Sequence, residues 1–185
     1  MKILDNFFPT LSDWQDKRLL WLTGGLWALS LEIFSVLYFQ LHLGLRPCEY
    51  CVKIRLAMMA IFVGAFIALL GPRWLIFKIP AYLITLSSAV TGLKLTLALE
   101  FINLDVLYNP YAILQCGPPP KIKLPFISNF PTHFQPSGTC GELDTQWWLF
   151  GFSMTQWLIM IYIVMILGLA LMLTSFILGR SNKTK

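Results

Sequence analysis

The chain has 185 residues, 57% of them hydrophobic and only 12% charged, with a mean hydropathy of +0.68. A soluble domain carries about 25% charged residues, so half that share argues for lipid as part of the solvent and against a wholly soluble fold. The net charge of +5 comes with no basic block and no nucleic-acid motif, which argues against nucleic-acid binding.

Residues 1–18 mix Lys2, Lys17 and Arg18 with Asp5, Asp13 and Asp16 around Phe7, Phe8 and Trp14. They read either as a short amphipathic helix on a membrane surface or as a loosely ordered tail. No charged start, short apolar stretch and small-residue cleavage site follow in that order, so a removed signal peptide is not expected. A first membrane-length run covers about 19–43, interrupted by Glu32. An ionisable group inside a span faces the bundle interior or a watery cavity. Glu32 is therefore either a group with a proton or quinone-site role or a hydrogen-bonded packing residue. His42, without a partner at ligand spacing, reads as interfacial.

A connection at about 44–51 carries Pro47-Cys48-Glu49-Tyr50-Cys51, and a second span follows at about 52–70. Pro47 disfavours helix before it, so a helix begins here, with Cys51 in its first turn. Unpaired N–H groups and the macrodipole favour an anion there, and a thiolate is such an anion. Arg55, four residues on from Cys51, shares its helix face. The pattern is a reactive dithiol beside a fixed positive charge at a bilayer boundary.

Gly71-Pro72-Arg73-Trp74 reads as a turn, and a third span follows at about 75–97, with Pro80 in its first turns. Residues 100–146 form one long connection holding seven of the eleven prolines, which resists regular structure and suits function. Cys116 and Cys140 lie in it, each followed by Gly. The uncharged stretch from Trp147 to Gly179 opens with Trp147-Trp148-Leu149-Phe150-Gly151-Phe152, an aromatic belt, and contains a fourth span at about 155–178.

The expectation is one all-α integral membrane domain over 1–185, a four-transmembrane-helix bundle with both termini cytoplasmic. That orientation places eight of the fourteen Lys and Arg inside, and puts all four cysteines in the oxidising compartment where disulfides persist. The cysteines are then a redox set, a metal site or structural bridges. Cys116 and Cys140 are not a close second pair of the kind structural zinc prefers, and a bridge within Cys-x-x-Cys closes too short a loop to stabilise much. Two dithiol pairs on one membrane face suit an electron relay, from a soluble thiol partner through the loop pair to the pair at the bilayer edge. A lipid-soluble quinone near Arg55 is the acceptor such a site would use. A membrane metal-binding protein using the four cysteines as ligands is the alternative.

These residues resemble the bacterial disulfide bond formation protein B (DsbB) family. The likeness rests on Leu31-Glu32, Pro47-Cys48-x-x-Cys51-x-x-x-Arg55, the Cys116 and Cys140 loop, and Met154-x-Gln156-Trp157. The Glu49-Tyr50 centre and the proline-rich loop look more like the DsbI branch. The resemblance implies an inner-membrane thiol:quinone oxidoreductase with periplasmic loops at about 44–51 and 100–146, using ubiquinone or menaquinone. It implies a periplasmic thioredoxin-fold oxidase (DsbA- or DsbL-like) as partner. It further implies that Cys116 is attacked by that partner, that Cys140 pairs with Cys116 and exchanges with Cys48, and that Cys51 and Arg55 face the quinone, with no metal. Two positions depart from the family pattern: Leu99 stands where a His is common, and Met154-Thr155 stands for Met-Pro.

Overall fold

The computed structural model describes residues 16–109, 136, 138, 140 and 147–183; the segment 1–15 and Cys116 lie outside the described residues. Among these, four helices are long and apolar enough to cross a membrane. Helix α1 spans Arg18–Phe34 and continues without a break as a π-helical segment, Ser35–His42. Helices α2 (Glu49–Leu70), α3 (Leu75–Tyr108) and α4 (Met154–Lys183) follow. A hairpin of two short strands, β1 (Trp148–Leu149) and β2 (Phe152–Ser153), precedes α4.

In lipid, apolar faces gain little from meeting one another, so helices associate where small residues let backbones close in. The bundle follows that rule around α2. Gly25 of α1 faces Ala65, where a Cβ would come 3.3 Å from the alanine methyl. At Gly64 a Cβ would sit 2.6 Å from the Thr85 methyl of α3. Ala28, Ala68, Ala81 and Ala89 are almost completely buried, while Leu26, Trp27, Val63, Phe66, Ile79, Leu83 and Val164 face outward, as lipid-facing residues must. Between α3 and α4, Gly92 receives the ring of Tyr162, whose hydroxyl donates to the Ile54 carbonyl at 3.1 Å.

The element ends depart from the expected ones in instructive ways. The π-helical segment closes on Gly44 at φ +66°, with the Leu45 N–H returning to the Phe39 carbonyl at 2.9 Å, a glycine-dependent helix stop. α2 starts at Glu49 rather than 52, because Cys48 caps it. α3 runs to Tyr108, past the expected end at 97; Glu100, Asn103 and Asp105 mark where apolar sequence stops, not where the helix stops. Pro80 falls in the second turn of α3 and is accommodated there.

The aromatic run before α4 is a hairpin, so the fold is mostly helical rather than purely so. Phe150 and Gly151 occupy its turn with φ of 51° and 81°, the left-handed pair that a two-residue hairpin requires. Ser153 and Gln156 then start α4 reciprocally: the Ser153 N–H donates to the Gln156 side-chain oxygen at 3.2 Å, and the Gln156 N–H donates to the Ser153 hydroxyl at 3.3 Å. This capping box does the work of the proline absent at Thr155. The Glu100 carboxylate of α3 joins it, accepting from the Thr155 hydroxyl and, at 2.9 Å, from the Gln156 amide.

At the opposite end of the bundle Lys78 is 3% exposed, donating to Asp16 at 2.8 Å and lying 4.7 Å from the Phe176 ring. Lys78 thus ties the start of the described chain to α3.

Candidate functional site

Pro47 ends the extended approach to α2, and Cys48 adopts φ −75°, ψ 171°, the backbone of an N-cap residue. Its sulfur accepts the Cys51 N–H at 3.2 Å. An N-cap side chain folds back over the free N–H groups of the first turn, whereas a side chain inside that turn does not. The sulfur held by the helix end is therefore that of Cys48, where sequence spacing had pointed to Cys51. The two sulfurs lie 2.7 Å apart and both are free thiols. The Cys51 thiol at its side lowers the Cys48 thiol to about 7, outweighing the burial that opposes it. Glu49, buried in the first turn, pairs with Lys53 at 2.7 Å.

Arg55 lies one turn beyond Cys51 and is 7% exposed. Its Nε and Nη2 donate to the Ser35 hydroxyl at 3.1 and 2.8 Å, and Nη2 also reaches the Ser35 carbonyl at 3.4 Å. Ser35 opens the π-helical segment, a widened turn of a kind frequent at functional sites. Glu32, three residues earlier, places Oε1 3.9 Å from Arg55 Nε. A charged arginine and a carboxylate at this depth are costly unless they serve one another or a ligand.

Cys48, Cys51, Arg55, Ser35 and Glu32 all open onto one cavity of about 230 Å³ at this end of the bundle. Ile54, Met58, Leu99, Leu158 and Ile161 supply an apolar wall, and Phe39 and Trp147, in edge contact at 5.3 Å between ring centroids, form part of its rim. Leu99, the expected departure, is a buried part of that wall. Sequence reasoning missed Asn103, which lines the same cavity one turn beyond Leu99 because α3 continues. It also missed Ser35; a lone serine three residues from Glu32 was the available signal.

Cys140 is completely buried and disulfide-bonded, and belongs to the same packed cluster as Cys48, Ile54 and Leu99. The loop around it docks on the strand of chain that leads into Cys48: the Gly138 N–H donates to the Pro47 carbonyl at 3.1 Å. A Cβ on Gly138 would come 2.6 Å from the Arg46 carbonyl, so only glycine permits this approach. Three of the four cysteines thus meet at one end of the bundle, and the fourth, Cys116, is outside the described residues.

A membrane-length helical bundle with a free dithiol and a disulfide gathered at the mouth of an apolar cavity defines a multi-pass membrane protein of thiol–disulfide chemistry. Residues 17–172 match the family model described as Disulfide bond formation protein DsbB. The chain is 40% identical to Disulfide bond formation protein B of Haemophilus influenzae, over 88% of this chain and 89% of that one. It is 37% identical to the protein of the same name from Pasteurella multocida, over 92% and 91%. It is 33% identical to the Protein-disulfide oxidoreductase DsbI of Escherichia coli, over 71% and 62%. The chain belongs to the DsbB family of disulfide bond formation proteins.

Proposed function

We propose that this protein is a thiol:quinone oxidoreductase of the bacterial inner membrane. In this reading both termini are cytoplasmic and the cysteines face the periplasm. A reduced thioredoxin-fold thiol oxidase (DsbA- or DsbL-like) attacks Cys116, electrons pass through Cys116 and Cys140 to Cys48 and Cys51, and membrane ubiquinone or menaquinone takes them up. The observation that carries the reading is the single cavity onto which Cys48, Cys51 and Arg55 open, with Cys140 packed in the cluster behind Cys48.

The residues present fit a quinone head. The cavity is apolar on most sides and slightly below the roughly 300 Å³ at which whole-ligand pockets begin, a size for one ring with its tail in lipid. Arg55, Ser35 and Asn103 would hold the carbonyl oxygens, and the quinone supplies a two-electron acceptor. Arg55, kept in place by Ser35, opposes the negative charge that develops on the acceptor oxygen. The Cys48 thiolate, held by the helix N-terminus and 2.7 Å from the Cys51 sulfur, is placed to close the Cys48–Cys51 disulfide as the electron pair leaves Cys51.

Anaerobic titration of the purified protein with quinone and a reduced thioredoxin-fold oxidase, followed by quinone absorbance, tests the reading. Stoichiometric quinone loss coupled to oxidation of the partner is expected; an unchanged quinone spectrum overturns it.

A further inference from the structure

The reduction of a quinone consumes two protons as well as two electrons, and the cavity must let them in. We infer that Glu32 carries a proton to the quinone oxygen at this site, an inference that rests on the thiol:quinone reading above. Glu32 is 7% exposed and lines the cavity together with both sulfurs. Its Oε1 has no hydrogen-bond partner. A carboxylate kept only to neutralise an arginine draws that arginine into short, often bidentate bonds of about 2.7–2.9 Å. Here Arg55 gives its short bonds to Ser35 and stands 3.9 Å from the carboxyl. Among the described residues lining the cavity, Glu32 is the one carboxyl group.

Arg46, in the approach to α2, brings a second guanidinium to the lining and no carboxyl or thiol, and the remaining titratable groups are otherwise engaged. From α2 come Arg55, which stays protonated, and Cys51, the proton's source. Cys48, at the head of α2, already gives up its own proton near neutral pH. From α4 comes Tyr162, whose hydroxyl is committed to the Ile54 carbonyl. α3 presents Leu99 and Asn103, which do not titrate.

The step balances without another reactant. The Cys48 thiolate and the Cys51 thiol lose two electrons and one proton as the S–S bond forms. The quinone gains two electrons and two protons as two O–H bonds form. Glu32 passes the Cys51 proton to one oxygen and is regenerated; the second proton, already released by Cys48, returns from water at the cavity mouth.

The test compares wild-type protein with Glu32→Gln and Glu32→Asp, reduced and mixed anaerobically with a short-chain ubiquinone. Expected in Glu32→Gln is quinol formation slowed by about a hundredfold, in the range of general acid–base catalysis. Quinone affinity, read by tryptophan quenching, and disulfide exchange with a reduced partner stay unchanged. In quinone-free protein the infrared spectrum shows a carboxylic-acid C=O band that Glu32→Gln removes. Glu32→Asp, one methylene short, keeps the band, reacts more slowly than wild type and shows a larger solvent isotope effect, which keeps the test open if Glu32→Gln fails to fold. Wild-type rates in Glu32→Gln, or in Glu32→Asp with an unaltered isotope effect, overturn the inference, as does a loss confined to quinone affinity. If wild-type protein itself leaves quinone unreduced, the parent reading fails instead.

Discussion

The Gly138 N–H donates to the Pro47 carbonyl at 3.1 Å, joining the Cys140 loop to the residue that immediately precedes Cys48. This one backbone bond sets the approach of two cysteines ninety-two positions apart in sequence. Gly138→Ala drives a methyl against the Arg46 carbonyl at 2.6 Å. Such overpacking costs about 1–3 kcal/mol. It is expected to slow exchange between Cys140 and Cys48 by about tenfold, with quinone reduction by the pre-reduced protein unaltered. Rapid-quench trapping of the mixed disulfides measures it, and equal trapping rates would count against the docking.

Cys48 is the sulfur whose reactivity turns on near neutral pH. Its thiol is lowered to about 7, so the thiolate predominates above that value and vanishes as pH falls below it. Alkylation of Cys48 in reduced protein, scored by peptide mass, therefore rises through pH 7 and levels off above it. Cys51→Ala removes the thiol that is the largest cause of the lowering, and the midpoint is expected to move up toward the ordinary thiol value. An unmoved midpoint would assign the effect to the helix end alone.

Arg55→Lys keeps a positive charge but loses the fork that grips Ser35. Hydrogen bonds to charged groups contribute about 1.5–3 kcal/mol. Apparent quinone affinity should weaken by at least about tenfold, while exchange among the cysteines continues. Steady-state kinetics at varied quinone decides it, and an unchanged KM would remove Arg55 from the acceptor site.

Gly92→Ala would drive a methyl into the ring of Tyr162, which is completely buried. Tyr162→Phe loses only the bond to the Ile54 carbonyl, worth about 0.6 kcal/mol for an average side-chain bond in a membrane bundle. Thermal unfolding in detergent is expected to show Gly92→Ala as much the less stable of the two. The reverse order would mean that close packing of α3 on α4 matters less than that hydrogen bond.

The apolar runs announced the four helices because a membrane demands length and hydropathy, and Pro47 announced where α2 begins. Arg55 was legible beside Cys51 because four residues make one helical turn. The π-helical segment was not, since Ser35–His42 has the composition of an ordinary span and differs only in its hydrogen-bond register. The hairpin was hidden by its aromatics, although Phe150-Gly151 between apolar pairs was a turn signal. Ser153-x-x-Gln156 likewise spelled a capping box, with the Gln standing where Glu or Gln is expected three residues after the cap. Which of Cys48 and Cys51 the helix end holds depends on which way a side chain points, and only the cap geometry decides that. The docking of Gly138 on Pro47 is a long-range contact with no local trace.

α3 is 34 residues long, hence about 51 Å, and even tilted by 40° it would rise about 39 Å against a hydrocarbon layer of about 30 Å. From Leu99, level with the cavity, to Tyr108 the helix climbs about 13 Å. The helix therefore outruns the hydrocarbon layer, and this last stretch, which carries Glu100, Asn103 and Asp105, is the part of α3 suited to the headgroup layer.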